Sequence, residues 1–240
     1  MKLRKQRFLT VSASIALFIA ALSAGTADAA SEVMRWDPPF SSGSHATLIP
    51  YAQTLPATKR WNLCIVFPHL KDAYWLGVNY GMVDEARRLG VEVRFLEAGG
   101  YPNLQRQRAL VQECAAIDGI DALILGTVSF DGLTDLVKET SRRMPVLAAI
   151  NDIANDGIQA KVGVSWQDMG RLIGEYLVAR HPPGGPPIPI AWFPGPRDAG
   201  WVPLVDRGFR AAIRDSRVVI TTIGWGDTDK AVQRNLVQNA

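Results

Sequence analysis

The chain has 240 residues, with 26 Lys and Arg against 23 Asp and Glu, a formal net charge of +3 and a pI near 9.0. The whole surplus lies in the first 29 residues, where Lys2, Arg4, Lys5 and Arg7 stand against the single acid Asp28, so the remainder is neutral. No Lys/Arg run is dense enough to propose nucleic acid or an anionic lipid surface as a partner.

The elements follow in chain order. The basic start, the apolar run Phe8 to Leu22 and the small residues of Ala27-Asp28-Ala29 form an export signal, with cleavage expected before Ala30. The apolar run is too short to span a bilayer comfortably, so no membrane insertion is expected after cleavage, and the mature protein is placed in the periplasm. Residues 30–60, rich in Ser, Pro, Ala and Thr, read as an extended lead-in. From Trp61 strands and helices alternate. Strand Trp61–Phe67 precedes a helix from about Ala73 to Leu89 with Leu76, Tyr80 and Val83 on its apolar face, closed by Gly90. Strand Val91–Leu96, the Gly99-Gly100 turn and a helix from Pro102-Asn103 to about Ala116 come next. Strand Ala122–Leu125, a helix carrying Leu133, Leu136, Val137 and Thr140, and strand Pro145–Ile150 complete a first lobe over residues 61–151. The alternation predicts an α/β protein with right-handed crossovers and parallel sheets.

Asn, Asp and Gly between Asn151 and Ala160 mark a crossing to a second lobe, residues 152–240. It holds a short strand Val162–Ser165, a helix expected to bury Met169, Leu172, Ile173, Tyr176 and Leu177, and a stiff connector from His181 to Pro187. Strand Ile188–Phe193, a helix with Val205, Phe209 and Ile213, strand Val218–Ile223 and a helix capped within Asp227-Thr228-Asp229 follow. Two strands of its own make a small lobe, so the second lobe reads as incomplete and the chain as C-terminally truncated.

Two cysteines in an exported chain invite pairing. With the sheet starting in the order 2-1-3, the helix between strands two and three crosses strand one. That sets Cys114 over Cys64 and predicts a Cys64–Cys114 disulfide.

Ligands of open α/β sheets bind beyond the carboxyl ends of the strands. Asp72, Tyr74 and Trp75 follow the first strand, Tyr101 the second, and Trp166 the strand at the crossing. Ring faces there suit a small methylated nitrogen that shares positive charge. Asp72 is equally a good helix N-cap, and Trp75 equally a roof on the core. Catalysis finds little support. His45, His69 and His181 lack metal spacing, no G-x-S-x-G elbow is present, and His69 reads as a surface-loop residue. The Gly195–Gly200 loop is a poor phosphate cradle, because Pro196 removes a donor. No cofactor and no metal are expected.

The run Trp61 to Tyr101 resembles the periplasmic trimethylamine N-oxide sensor proteins of the TorT type, as do Val162–Trp166, Pro194-Gly195-Pro196, Gly208–Ile213 and Gln233–Leu236. The resemblance implies the two-lobed type I periplasmic binding protein fold. It also implies trimethylamine N-oxide, or a related small solute, bound between the lobes, and a partner in the exterior domain of a TorS-like membrane sensor histidine kinase. Its ligand box falls on Tyr74, Trp75, Tyr101 and Trp166, with Asp72 beside them. Trp201 and Trp225 lie near the cleft but outside that box. The alternatives are a solute-binding protein that serves a sugar transporter, and an adaptor that works by protein contact alone.

Overall fold

The computed structural model describes residues 31–40, 45–52 and 55–240; the export signal lies outside them. They divide into two compact units, with the boundary after Thr54. Within the first, β1 (Glu32–Asp37) pairs antiparallel with β2 (His45–Pro50).

The second unit holds two parallel sheets. Its larger sheet is built from β3 (Asn62–Phe67), β4 (Glu92–Glu97), β5 (Ala122–Leu125), β6 (Val146–Ile150) and β7 (Ala160–Gly163), in the order β4-β3-β5-β6-β7. This is the 2-1-3 start on which the expected Cys64–Cys114 pairing depends. Helices α1 (Ala73–Leu89), α2 (Leu104–Ala116) and α3 (Thr134–Thr140) join these strands in turn. The smaller sheet pairs β8 (Ile188–Gly195) with β9 (Val218–Trp225), accompanied by α4 (Trp166–Arg180), α5 (Trp201–Ile213) and α6 (Lys230–Gln238). The α/β class with parallel sheets is as expected.

β3 runs through the middle of its sheet, and Cys64, Ile65, Val66 and Phe67 are fully or almost fully buried. Crossing above it, α2 brings Cys114 to Cys64; their Cα atoms are 5.9 Å apart and the disulfide is formed. Leu110, Val111, Leu123, Leu125 and Val146 pack around it, a core of the aliphatic type that parallel strands covered on both faces require.

Two expected helix faces are not the ones buried. In α1, Trp75 and Ala86 are buried and Val78 and Met82 pack beside them, whereas Leu76 and Tyr80 are 51% and 72% exposed. In α4, Met169, Leu172, Ile173 and Tyr176 are all exposed, and the buried residues are Trp166, Gly170 and Gly174. Close approach explains α4. A Cβ on Gly170 would overlap the Val205 carbonyl oxygen, and one on Gly208 of α5 would overlap that of Gln167. The two helices meet backbone to backbone through glycine, and that contact, not the wider apolar stripe, fixes which side of α4 turns inward. Among the described residues no helix is long and apolar enough to cross a membrane.

Candidate functional site

The site residues gather where strand ends from both sheets meet. Asp72 is the N-cap of α1, its Oδ1 accepting the Trp75 N–H at 2.9 Å. Its Oδ2 accepts the Thr228 hydroxyl at 3.2 Å, from the loop between β9 and α6. Capping is therefore one of two jobs this carboxylate holds.

Tyr74, in the first turn of α1, is 39% exposed and lies between two indoles, with centroids 6.2 Å from Trp75 and 6.0 Å from Trp166. Trp75 itself turns into the core beside Phe67, at 4.9 Å, and Ile65. Trp166 belongs to a different buried cluster, starting α4 with its Nε1 donating to the Ile150 carbonyl at 3.0 Å. Trp75 and Trp166 thus do not face one another directly; the Tyr74 ring connects them.

Tyr101 follows the Gly99-Gly100 turn. A Cβ on Gly100 would lie 2.6 Å from Asp227 Oδ2, and its φ of +142° also favours glycine, so the turn closes only with this residue. The Tyr101 hydroxyl receives Asn151 Nδ2 at 3.0 Å and Trp201 Nε1 at 3.2 Å. Burial pushes its phenol pKa up; the Asn151, Trp75 and Trp201 side-chain donors work against that, and the Asp72 charge adds to the rise. The Tyr74 phenol is raised as well, first by burial and then by Asp72. A carboxylate beside two phenols and several ring faces suits a diffuse positive charge.

Two members stand elsewhere than the sequence suggested: Trp201, expected near the cleft but outside the box, and His69, expected in a surface loop. Trp201, first residue of α5, tilts over Trp166 with centroids 5.0 Å apart, and is 9% exposed. His69 is fully buried, not a surface residue. Its Nδ1 accepts the Lys71 N–H at 3.2 Å and its Nε2 meets Thr228 Oγ1 at 3.1 Å. Among the described residues no group of three or more metal-ligating side chains occurs. An open groove lined by Lys59, Arg60, Arg87 and Glu92 lies beside the amino ends of β3 and β4, away from these aromatic rings.

Residues 60–240 match the family described as periplasmic binding proteins and sugar binding domain of LacI family. The chain belongs to this family. Within it the chain is TorT-like. Periplasmic protein TorT of Escherichia coli (strain K12) is 40% identical over 210 residues, which are 87% of this chain and 58% of TorT. An ABC transporter solute-binding protein from Bradyrhizobium sp. BTAi1, solved with bound Bis-Tris, superposes with a TM-score of 0.68 at 41% identity, covering 87% of this chain and 62% of that one. A TorS sensor domain–TorT complex solved in the presence of TMAO gives a TM-score of 0.64 at 43% identity, covering 75% of this chain and 60% of the other. The chain spans less than two thirds of the length of these relatives, and accordingly covers only part of the two-lobed type I periplasmic binding protein fold.

Proposed function

We propose that this protein is a periplasmic solute-binding sensor, not an enzyme, which takes trimethylamine N-oxide between its two sheets and reports that state to the exterior domain of a TorS-like sensor histidine kinase. The observation that carries the reading is the contact of Tyr74 with Trp166 across a sequence gap of 92 residues, beside the Asp72 carboxylate. The methyl groups of the solute share the charge on its nitrogen, and ring faces within about 6 Å attract such a charge with about 0.5–2 kcal/mol each. Asp72 keeps its hydrogen bonds to Trp75 and Thr228 and acts through its charge. Tyr74, Trp75, Tyr101 and Trp166 supply the box, Trp75 by backing Tyr74 from the core. Because the rings touch one another, the solute enters by parting the loops of the two sheets, and it biases that equilibrium only as far as it binds one arrangement better. Cleavage near Ala29/Ala30 releases the protein to the periplasm, which N-terminal sequencing of the exported chain checks.

A second reading, a solute-binding protein that serves a transporter, is favoured by the Bradyrhizobium relative. Its Bis-Tris is a tertiary amine that also bears several hydroxyl groups, so this reading admits a sugar-like polyol as the solute. Calorimetry on the full-length protein separates them. Trimethylamine N-oxide should bind, and Tyr74→Ala and Trp166→Ala should each weaken it at least tenfold. Ribose binding without amine oxide binding would favour sugar transport, and unchanged affinity in both variants would remove the box.

A further inference from the structure

A hydroxyl accepts two hydrogen bonds and donates one, and at Tyr101 side-chain donors, the Trp75 indole among them, crowd the accepting side. Asn151 Nδ2 and Trp201 Nε1 donate to the phenol oxygen. Neither can be reversed. The same Asn151 Nδ2 lies 2.7 Å from the Thr127 carbonyl oxygen, where an amide oxygen would face another acceptor. An indole nitrogen only donates. The Tyr101 proton must therefore be given away, and among the described residues no acceptor takes it.

The chain strains to create this arrangement. Ile150, just before Asn151, has φ +70°, a left-handed conformation that β-branched residues almost never adopt. From there its carbonyl meets Trp166 Nε1 while Asn151, 2% exposed, is delivered to Tyr101. Strain of this kind persists where neighbouring contacts over-determine it, commonly at binding sites. Two N–H groups donating to a phenol oxygen also polarise its O–H and make it a better donor.

We infer that Asn151 and Trp201 are positioning residues that reserve the Tyr101 proton for an oxygen of the bound solute, so that the site selects a methylated nitrogen bearing an acceptor oxygen over one of similar size without it. The inference rests on the solute site proposed above. Trp201 starts α5 after β8 of the smaller sheet and Tyr101 follows β4 of the larger, so the donor is set only when the two are together.

The test is calorimetry on the full-length protein with trimethylamine N-oxide and tetramethylammonium, read as the ratio of the two affinities. The wild type should prefer the N-oxide. Tyr101→Phe should cut the ratio about tenfold, the loss of one hydrogen bond to a charged acceptor. Trp201→Phe and Asn151→Ala should cut it about three- to tenfold. The ratio is internal to each variant, so general loosening of the fold moves both affinities together and leaves it unchanged. A ratio that stays at the wild-type value in Tyr101→Phe, or in both Trp201→Phe and Asn151→Ala, overturns the inference, as does a wild type that binds the ammonium as well as the N-oxide. Binding of neither probe to the wild type overturns the solute site itself, and the inference with it.

Discussion

Trp75 is 2% exposed, with Phe67 stacked obliquely beside it and the backbone of Gly126 against its six-membered ring. Replacing it with alanine empties that space, and large-to-small changes of buried aromatics cost about 3–5 kcal/mol. Trp75→Ala should lower the unfolding free energy by that amount in denaturant titrations, so a loss of solute binding in this variant reports the fold first. Tyr74, more than a third exposed, is the ring whose removal reports the site. Tyr101 gives a pH signature at the same scale. Its phenol pKa is raised in the folded state, chiefly by burial, above the ordinary value of 10.0. Between the unfolded and folded values the native protein holds more protons than the unfolded chain, so stability falls as pH rises through that window. The thermal midpoint should therefore decline as pH rises above about 10, and Tyr101→Phe should flatten the decline; an equal decline in the variant would place its cause elsewhere.

Glycines separate the helices into two kinds. Gly170 and Gly208 lie in the α4–α5 contact, where an added methyl meets backbone oxygen that has no freedom to retreat. Gly170→Ala or Gly208→Ala should destabilise by about 1–3 kcal/mol through forced separation of the helices. Gly77, on the exposed side of α1, has nothing within 4 Å of such a methyl. Gly77→Ala should stabilise by about 0.5–1 kcal/mol through helix propensity alone. Urea unfolding of the three variants gives both signs in one experiment. The same contrast shows why parts of the fold were legible and others were not. The parallel sheet follows from alternation and crossover handedness, and the Cys64–Cys114 bridge from compartment once a 2-1-3 start is taken, all of which act over one or two elements. The inward sides of α1 and α4 depend on what approaches them, and an apolar period counts side chains without showing the approach. For α4 the available signal was the Gly170–Gly174 spacing. Trp201 was left outside the box and His69 read as a surface residue for a related reason: their partners, Tyr101 and Thr228, are 100 and 159 residues away.

His69 acts at the scale of the whole Leu55–Ala240 unit. Its Nδ1 accepts the Lys71 N–H, so in the neutral ring the proton sits on Nε2 and is donated to Thr228 Oγ1. Thr228 in turn donates to Asp72 Oδ2. One hydroxyl thus joins the loop after β3 to the loop after β9, a clasp between the two sheets anchored on the carboxylate beside the aromatic cluster. Thr228→Val keeps the volume and removes both bonds, leaving the buried His69 Nε2 with Asp72 Oδ2, 3.8 Å away, as its neighbouring acceptor. Loss of the two hydrogen bonds costs about 1–3 kcal/mol, which is about five- to 150-fold in the equilibrium between clasped and open arrangements. Amide hydrogen exchange of residues 226–230 should accelerate by that factor in the variant. Amides of β3 and β5, protected by their own sheet, should keep their rates. Unchanged exchange at 226–230 would mean that packing of Trp201 against Tyr101 and Trp166 already holds the sheets together, with the clasp contributing nothing of its own.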